Sequence, residues 1–148
     1  CASGGKSGFA SCRDTLACFD KCGPDNPGCG LACFQAADAK AQQQFSAAAD
    51  CNAKAGGAGC VDAVVACVAP TGNKTCTDII ACLGPCKGAS TCQFDCLGKG
   101  SAAEAAKVLK LFACSDAQCK PACGSDGACQ QKCAQQKCAA EFTACIGG

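Results

Sequence analysis

Over most of this chain the apolar residues recur with the period of a helix. Residues 11–22 (SCRDTLACFDKC) read as a first helix. Gly23-Pro24-Asp25-Asn26-Pro27-Gly28 is dense turn chemistry and reverses the chain. Residues 29–55 read as one long helix, with Phe34, Ala41, Phe45 and Ala48 on a single stripe, ended by Gly56-Gly57-Ala58-Gly59. Cys60 to Cys67 (CVDAVVAC) forms a third, short helix, and Pro70-Thr-Gly-Asn-Lys a linker. Farther on, Gly98-Lys99-Gly100 breaks a helix. Ser101 and Glu104 then start a new one with a capping box, and Ala105, Val108, Leu109 and Phe112 form its apolar face. Phe34, Phe45, Phe112 and Phe142 are the expected aromatic core.

Cysteines punctuate these helices at C-x3-C spacing, which stacks two sulfurs on one helical face, a turn apart. Cys18/Cys22 and Cys29/Cys33 flank the first reversal, so two helices folded back to back would be joined by nested bridges Cys18–Cys33 and Cys22–Cys29. The same device gives Cys82–Cys96 with Cys86–Cys92, and Cys119–Cys133 with Cys123–Cys129. Cys60 and Cys67 lie roughly 10 Å apart along one helix. Bridged Cα atoms stay within about 7 Å, so these two cannot pair with each other. Cys51–Cys60 across the Gly-rich turn and Cys12–Cys67 across the antiparallel packing complete one set. Cys114–Cys138 and Cys76–Cys145 complete the other. The main rival joins Cys12 to Cys51, with Cys60 and Cys67 bonded elsewhere.

The cysteine register repeats. Cys12, Cys18, Cys22, Cys29, Cys33 and Cys51 return as Cys76, Cys82, Cys86, Cys92, Cys96 and Cys114, and KCAAEFTAC echoes GCVDAVVAC. This reads as an internal duplication. The expected organisation is an N-terminal segment 1–10, a Cys-rich helical module 11–70, and a second module 71–148 carrying an inserted hairpin at 115–137. The expected fold class is all-α, with disulfide-stapled helical hairpins in two tandem homologous modules.

Composition explains why staples are needed. Of 148 residues, 21 are cysteine and only 21 are Leu, Ile, Val or Phe. That apolar share is below the roughly 20% under which chains tend to stay disordered unless something else holds them. Each bridge contributes about 2–4 kcal/mol, so ten can stand in for the missing core. Abundant disulfides imply an oxidising compartment, and the chain is expected to be secreted, extracellular or at a cell surface. A net charge of +1 argues against nucleic acid and anionic membrane as partners, and no apolar run approaches a membrane span. With no Met, the chain reads as a processed form.

Candidate chemistry is sparse. The chain has no His, which removes the commonest general base, His metal ligands and any Ser/His or Cys/His nucleophile. No C-x2-C occurs, so neither the usual zinc spacing nor a thioredoxin-like motif is present. No cofactor is expected. Asp14, Asp62, Asp78 and Glu141 each follow a cysteine by two or three residues, and read as first-turn acids favoured by the helix dipole. Lys99, Lys107 and Lys110 read as a solvated face. Asn73-Lys74-Thr75 is a glycosylation sequon if the source is eukaryotic.

The twin C-x3-C hairpin resembles the alpha-hairpinins of plants, which are inhibitors and antimicrobial peptides, and the small Tim chaperones of mitochondria. The likeness lies in cysteine spacing, and the turns here, five or six residues, are shorter. In the inhibitor family activity sits on exposed Arg or Lys, which would make Lys21 or Lys87 the nearest candidates. The segment Cys1-Ala-Ser-Gly-Gly-Lys-Ser-Gly resembles the start of a bacterial lipoprotein, in which that Cys carries lipid.

The reading that follows is a secreted, non-enzymatic structural protein, a subunit of an extracellular fibre or surface appendage that self-associates into a homopolymer. In it, Cys1 bonds the next subunit, which also holds the Gly-rich end. The alternatives are a surface lipoprotein or binding module anchored through Cys1, and an inhibitor or defence protein.

Overall fold

The structure is a computed structural model that describes residues 8–9, 11–22, 26–55, 59–87 and 89–147. Ten α-helices follow one another among these residues: α1 (Cys12–Phe19), α2 (Pro27–Ala36), α3 (Ala39–Ala55), α4 (Val61–Val68), α5 (Cys76–Leu83), α6 (Ser90–Gly98), α7 (Ala102–Gln118), α8 (Lys120–Cys123), α9 (Gly127–Lys137) and α10 (Ala139–Ile146). A 3-10 turn, Gly84–Cys86, extends α5. No strand occurs among them, only two isolated bridges, Phe9 with Ala37 and Lys74 with Gly100. The fold is all-α.

Most helices start where a short polar side chain takes an orphan amide. Ser11 accepts from the Asp14 N–H at 3.1 Å and Asn26 from the Cys29 N–H at 3.1 Å. Asp126 accepts from the N–H groups of Ala128 and Cys129. Thr75 and Asp78 form a full capping box at the head of α5. Asp14, Asp62, Asp78 and Glu141 all stand in first turns, toward the positive end of their helices.

The expected long helix over 29–55 is two helices. Ala37 is extended and separates α2 from α3. The break is made by the chain before α1: the Phe9 N–H donates to the Ala36 carbonyl at 2.9 Å, and the Phe9 carbonyl accepts from the Asp38 N–H at 3.0 Å. Asp38 then caps α3, accepting from the Ala41 N–H at 2.7 Å. The Gln42 side-chain amide donates to the carbonyls of Phe34 and Ala37, both at 3.0 Å, so the broken end keeps its partners. The second half does the same, with the Lys74 N–H donating to the Lys99 carbonyl at 2.9 Å. A break by a main-chain clip thus stands at Ala37 and again at Gly98–Gly100.

These clips require glycine. A Cβ on Gly8 would lie 2.9 Å from the Ala36 oxygen, and one on Gly72 only 1.8 Å from the Lys99 oxygen. Only a bare backbone can come this close.

The core centres on α7. Its Ala105, Val108 and Leu111 are buried against Ile79, Leu97, Ala134 and Val68. Phe112 was expected in that core, but it is 42% exposed. The buried stripe of α7 runs through 105, 108 and 111, and the next residue lies about 100° around the helix. Phe34 and Phe45 are half-buried and form a cluster with Phe19, whose ring stacks on Phe45 with centroids 4.8 Å apart. Residues 115–118, assigned by sequence to the inserted hairpin, complete α7.

Contacts also run between residues 11–70 and 71–148. Val68 of α4 sits in the core built otherwise from 76–145. Arg13 of α1 pairs with Asp95 of α6, and Asp20 accepts from the Thr91 N–H at 2.6 Å and from its hydroxyl.

Gly72→Ala should lower stability by about 2–3 kcal/mol, because the new methyl meets backbone that cannot yield. Gly84→Ala has nothing within 4 Å of its Cβ. It should be neutral or stabilising by roughly 0.5 kcal/mol. Urea unfolding of the two variants side by side checks both signs.

Candidate functional site

The sulfurs are the first candidates. The structure joins Cys12 to Cys67, Cys18 to Cys33, Cys22 to Cys29 and Cys51 to Cys60. It joins Cys76 to Cys145, Cys82 to Cys96, Cys86 to Cys92 and Cys114 to Cys138. Cys119 bonds Cys133, and Cys123 bonds Cys129. Cα separations run from 5.0 Å at Cys12–Cys67 to 5.9 Å at Cys114–Cys138, inside the range a disulfide spans. Every α-helix holds at least one bridged cysteine in it or at its cap.

Within two hairpins the bridges touch each other. Cys22 Sγ lies 3.7 Å from Cys33 Sγ, and Cys86 Sγ 3.8 Å from Cys96 Sγ. Each hairpin therefore gathers three sulfurs within 4.8 Å, from Cys22, Cys29 and Cys33, and from Cys86, Cys92 and Cys96. All six are bridged. Zinc takes thiolates, which a closed disulfide does not offer.

Cys1 lies outside the described residues, as does the Gly-rich segment 1–7. Asn73 is exposed between α4 and α5. Lys21 and Lys87 are exposed beside their hairpin turns, Lys87 in a left-handed conformation at φ 48°. Lys107 donates to Glu104 at 2.6 Å, while Lys99 donates to Cys82 Sγ at 3.5 Å. The lysine cluster read from sequence thus includes two side chains with specific partners.

Glu104 differs from its expected role. Ser101 does accept from the Glu104 N–H at 3.2 Å. The Glu104 carboxylate does not return to Ser101. Its Oε2 accepts from the Cys76 N–H at 2.8 Å, across 28 residues, at the first turn of α5. The pull of an orphan amide at a helix N-terminus outweighs the local box. Hydrogen bonding to Lys107, then to the Cys76 amide, holds the Glu104 carboxyl below the usual glutamate value. Asp78 is likewise lowered, chiefly by the Thr75 amide.

A feature missed in the sequence is an apolar cleft of about 500 Å³. Leu16 of α1, Phe45, Ala48 and Ala49 of α3, and Val61 and Val64 of α4 line one side. Gln93 and Phe94 of α6 and Leu109, Phe112, Ala113 and Asp116 of α7 line the other. The bridged Cys60 and Cys67, each 2% exposed, also line it. The readable signal was on α7. Positions 109, 112, 113 and 116 form a second stripe at i, i+3, i+4 and i+7, three of the four apolar, beside the core stripe.

Among the described residues no helix is long and apolar enough to cross a membrane. Compared with known proteins, the chain matches no family model, no curated protein and no solved structure.

Glu104→Gln should cost about 1 kcal/mol at pH 7, the discounted worth of a charged hydrogen bond near the surface. A carboxyl with a lowered folded pKa stabilises above its unfolded value, near pH 4.3, and loses that contribution as pH falls through the folded value. Wild type should therefore lose more stability than Glu104→Gln between pH 5 and pH 3, as read from urea midpoints across that window. Equal slopes would show that Glu104 carries no such linkage.

Proposed function

We propose that this is a secreted, non-enzymatic structural subunit that assembles with further copies of itself outside the cell. One observation carries the reading. The molecule bears an open apolar cleft with Phe112 at 42% exposure on its wall, and it presents Leu31 and Ile146, 58% and 40% exposed, from α2 and α10. Those two helices contribute no residue to the cleft. A recess and exposed apolar side chains on different parts of one chain suit a head-to-tail contact, which builds an open filament unless its rotation closes a ring.

Ten bridges suit a subunit that stays folded in an oxidising medium. The repeated cysteine register supports a tandem duplication, in which one half can mimic the contact that a neighbour makes. An intersubunit bond or a lipid at Cys1 would add to this contact and is not required by it.

The cleft also supports a second reading, a monomeric binding module for a small apolar molecule. About 500 Å³ lies within the range of small-molecule sites.

Sedimentation velocity over a wide concentration range separates the two. Self-association should appear as a growing distribution of species. Phe112→Asp, and separately Leu31→Asp with Ile146→Asp, should each weaken it roughly thirtyfold or more. Mixing the two variants should restore short oligomers, because each keeps one half of the contact. Wild-type protein that stays monomeric throughout and takes up a fluorescent apolar probe would favour the binding module.

A further inference from the structure

The bridges of the second hairpin are arranged to do more than hold α5 against α6. Cys86 Sγ sits 3.8 Å from Cys96 Sγ, a sulfur of the other bridge. Cys86 and Cys96 are 5% and 2% exposed, whereas Cys82 and Cys92 are half-buried and reachable. Lys99, itself exposed, donates to Cys82 Sγ at 3.5 Å. A neighbouring ammonium stabilises a thiolate, and a stabilised thiolate is the better leaving group in disulfide exchange.

We infer that this hairpin is a thiol-exchange site at which an external dithiol, acting at Cys92, releases a reactive thiolate at Cys82. One sulfur of the dithiol attacks Cys92. The Cys86–Cys92 bond breaks and its electron pair leaves on Cys86. Cys86 Sγ then attacks Cys96 Sγ beside it. A Cys86–Cys96 bond forms, the Cys82–Cys96 bond breaks, and the pair leaves on Cys82 next to the Lys99 ammonium. The second sulfur of the dithiol displaces the mixed disulfide from Cys92 and closes into a cyclic disulfide. One dithiol is oxidised, one protein bridge is reduced, and the two protons of the dithiol are shared between Cys92 and Cys82 according to pH. The hairpin keeps one rung throughout.

Direct attack on Cys82 is the competing route. It would expel the thiolate of Cys96, buried as Cys86 is, and a relay from Cys96 onto Cys86 would leave the electron pair on Cys92, to which no lysine donates among the described residues, rather than on Cys82 beside the Lys99 ammonium. The other hairpins serve as internal comparisons. Cys22 and Cys33 make the same cross-bridge contact at 3.7 Å, but among the described residues no lysine donates to Cys18. In the third hairpin Cys133 Sγ contacts the Gln118 carbonyl at 3.8 Å rather than a neighbouring bridge. The relay contact and the cation occur together at Cys82–Cys96. The product is a half-buried, reachable thiol that can bond an outside cysteine without opening the hairpin, whether or not the chain self-associates.

The test uses the full oxidised chain with any pre-existing thiol blocked. It is treated with limiting dithiothreitol, quenched by alkylation, and its labels and bridges are mapped by peptide mass spectrometry. The expected product carries labels on Cys82 and Cys92 and a new Cys86–Cys96 bond. Lys99→Gln should reduce label at Cys82 at a fixed quench time by roughly threefold to tenfold, and Lys99→Arg should restore it. Labels on Cys86 and Cys92 with Cys82–Cys96 intact would overturn the relay. So would labels on Cys82 and Cys96, or a hairpin left unlabelled while other bridges open. Unchanged labelling in Lys99→Gln would overturn the part assigned to the ammonium.

Discussion

Everything in this fold depends on two cysteines one helical turn apart meeting two more on a facing helix. Large apolar side chains are few, and several helices are only eight residues long. Helices of that length are marginal in water without tertiary support. The cystine rungs supply that support by removing freedom from the unfolded chain and by filling interior space with sulfur. Cys12, Cys76, Cys119 and Cys138 are each at most 1% exposed, so the staples are themselves core. A four-residue helix such as α8 persists because Cys119 at its cap and Cys123 at its end are both bonded to α9.

The second constraint is main-chain. Short segments ahead of α1 and α5 clip onto the junctions behind α2 and α6, and Gly8 and Gly72 permit the approach. Each clip ends a helix that would otherwise run on, which lets α3 and α7 take new directions. Both α3 and α7 line the apolar cleft, together with α1, α4 and α6.

Many of the charges serve this frame. Asp14, Asp38, Asp78 and Asp126 work at helix starts, Glu104 ties α7 to α5, and Arg13 with Asp95 and Asp20 with Thr91 join the two halves. Leu31, Phe112 and Ile146 are large apolar side chains left exposed. Recognition by this protein is accordingly proposed through apolar contact. Lys99 is set apart, since its partner is a sulfur rather than a carboxylate.

By itself the sequence determined that the chain is helical and cystine-stapled. Period and C-x3-C spacing are local properties: residues four apart share a helical face wherever that helix goes. The first-turn acids were legible for the same reason. Only tertiary structure decided which of two apolar stripes on α7 is buried, and so placed Leu111 inside and Phe112 outside. It also sent the Glu104 carboxylate 28 residues away to Cys76 and split 29–55 at Ala37. Each of these turns on a competing partner that is distant in sequence, an orphan amide, an extended segment or a facing helix, and periodicity along one element carries no record of it.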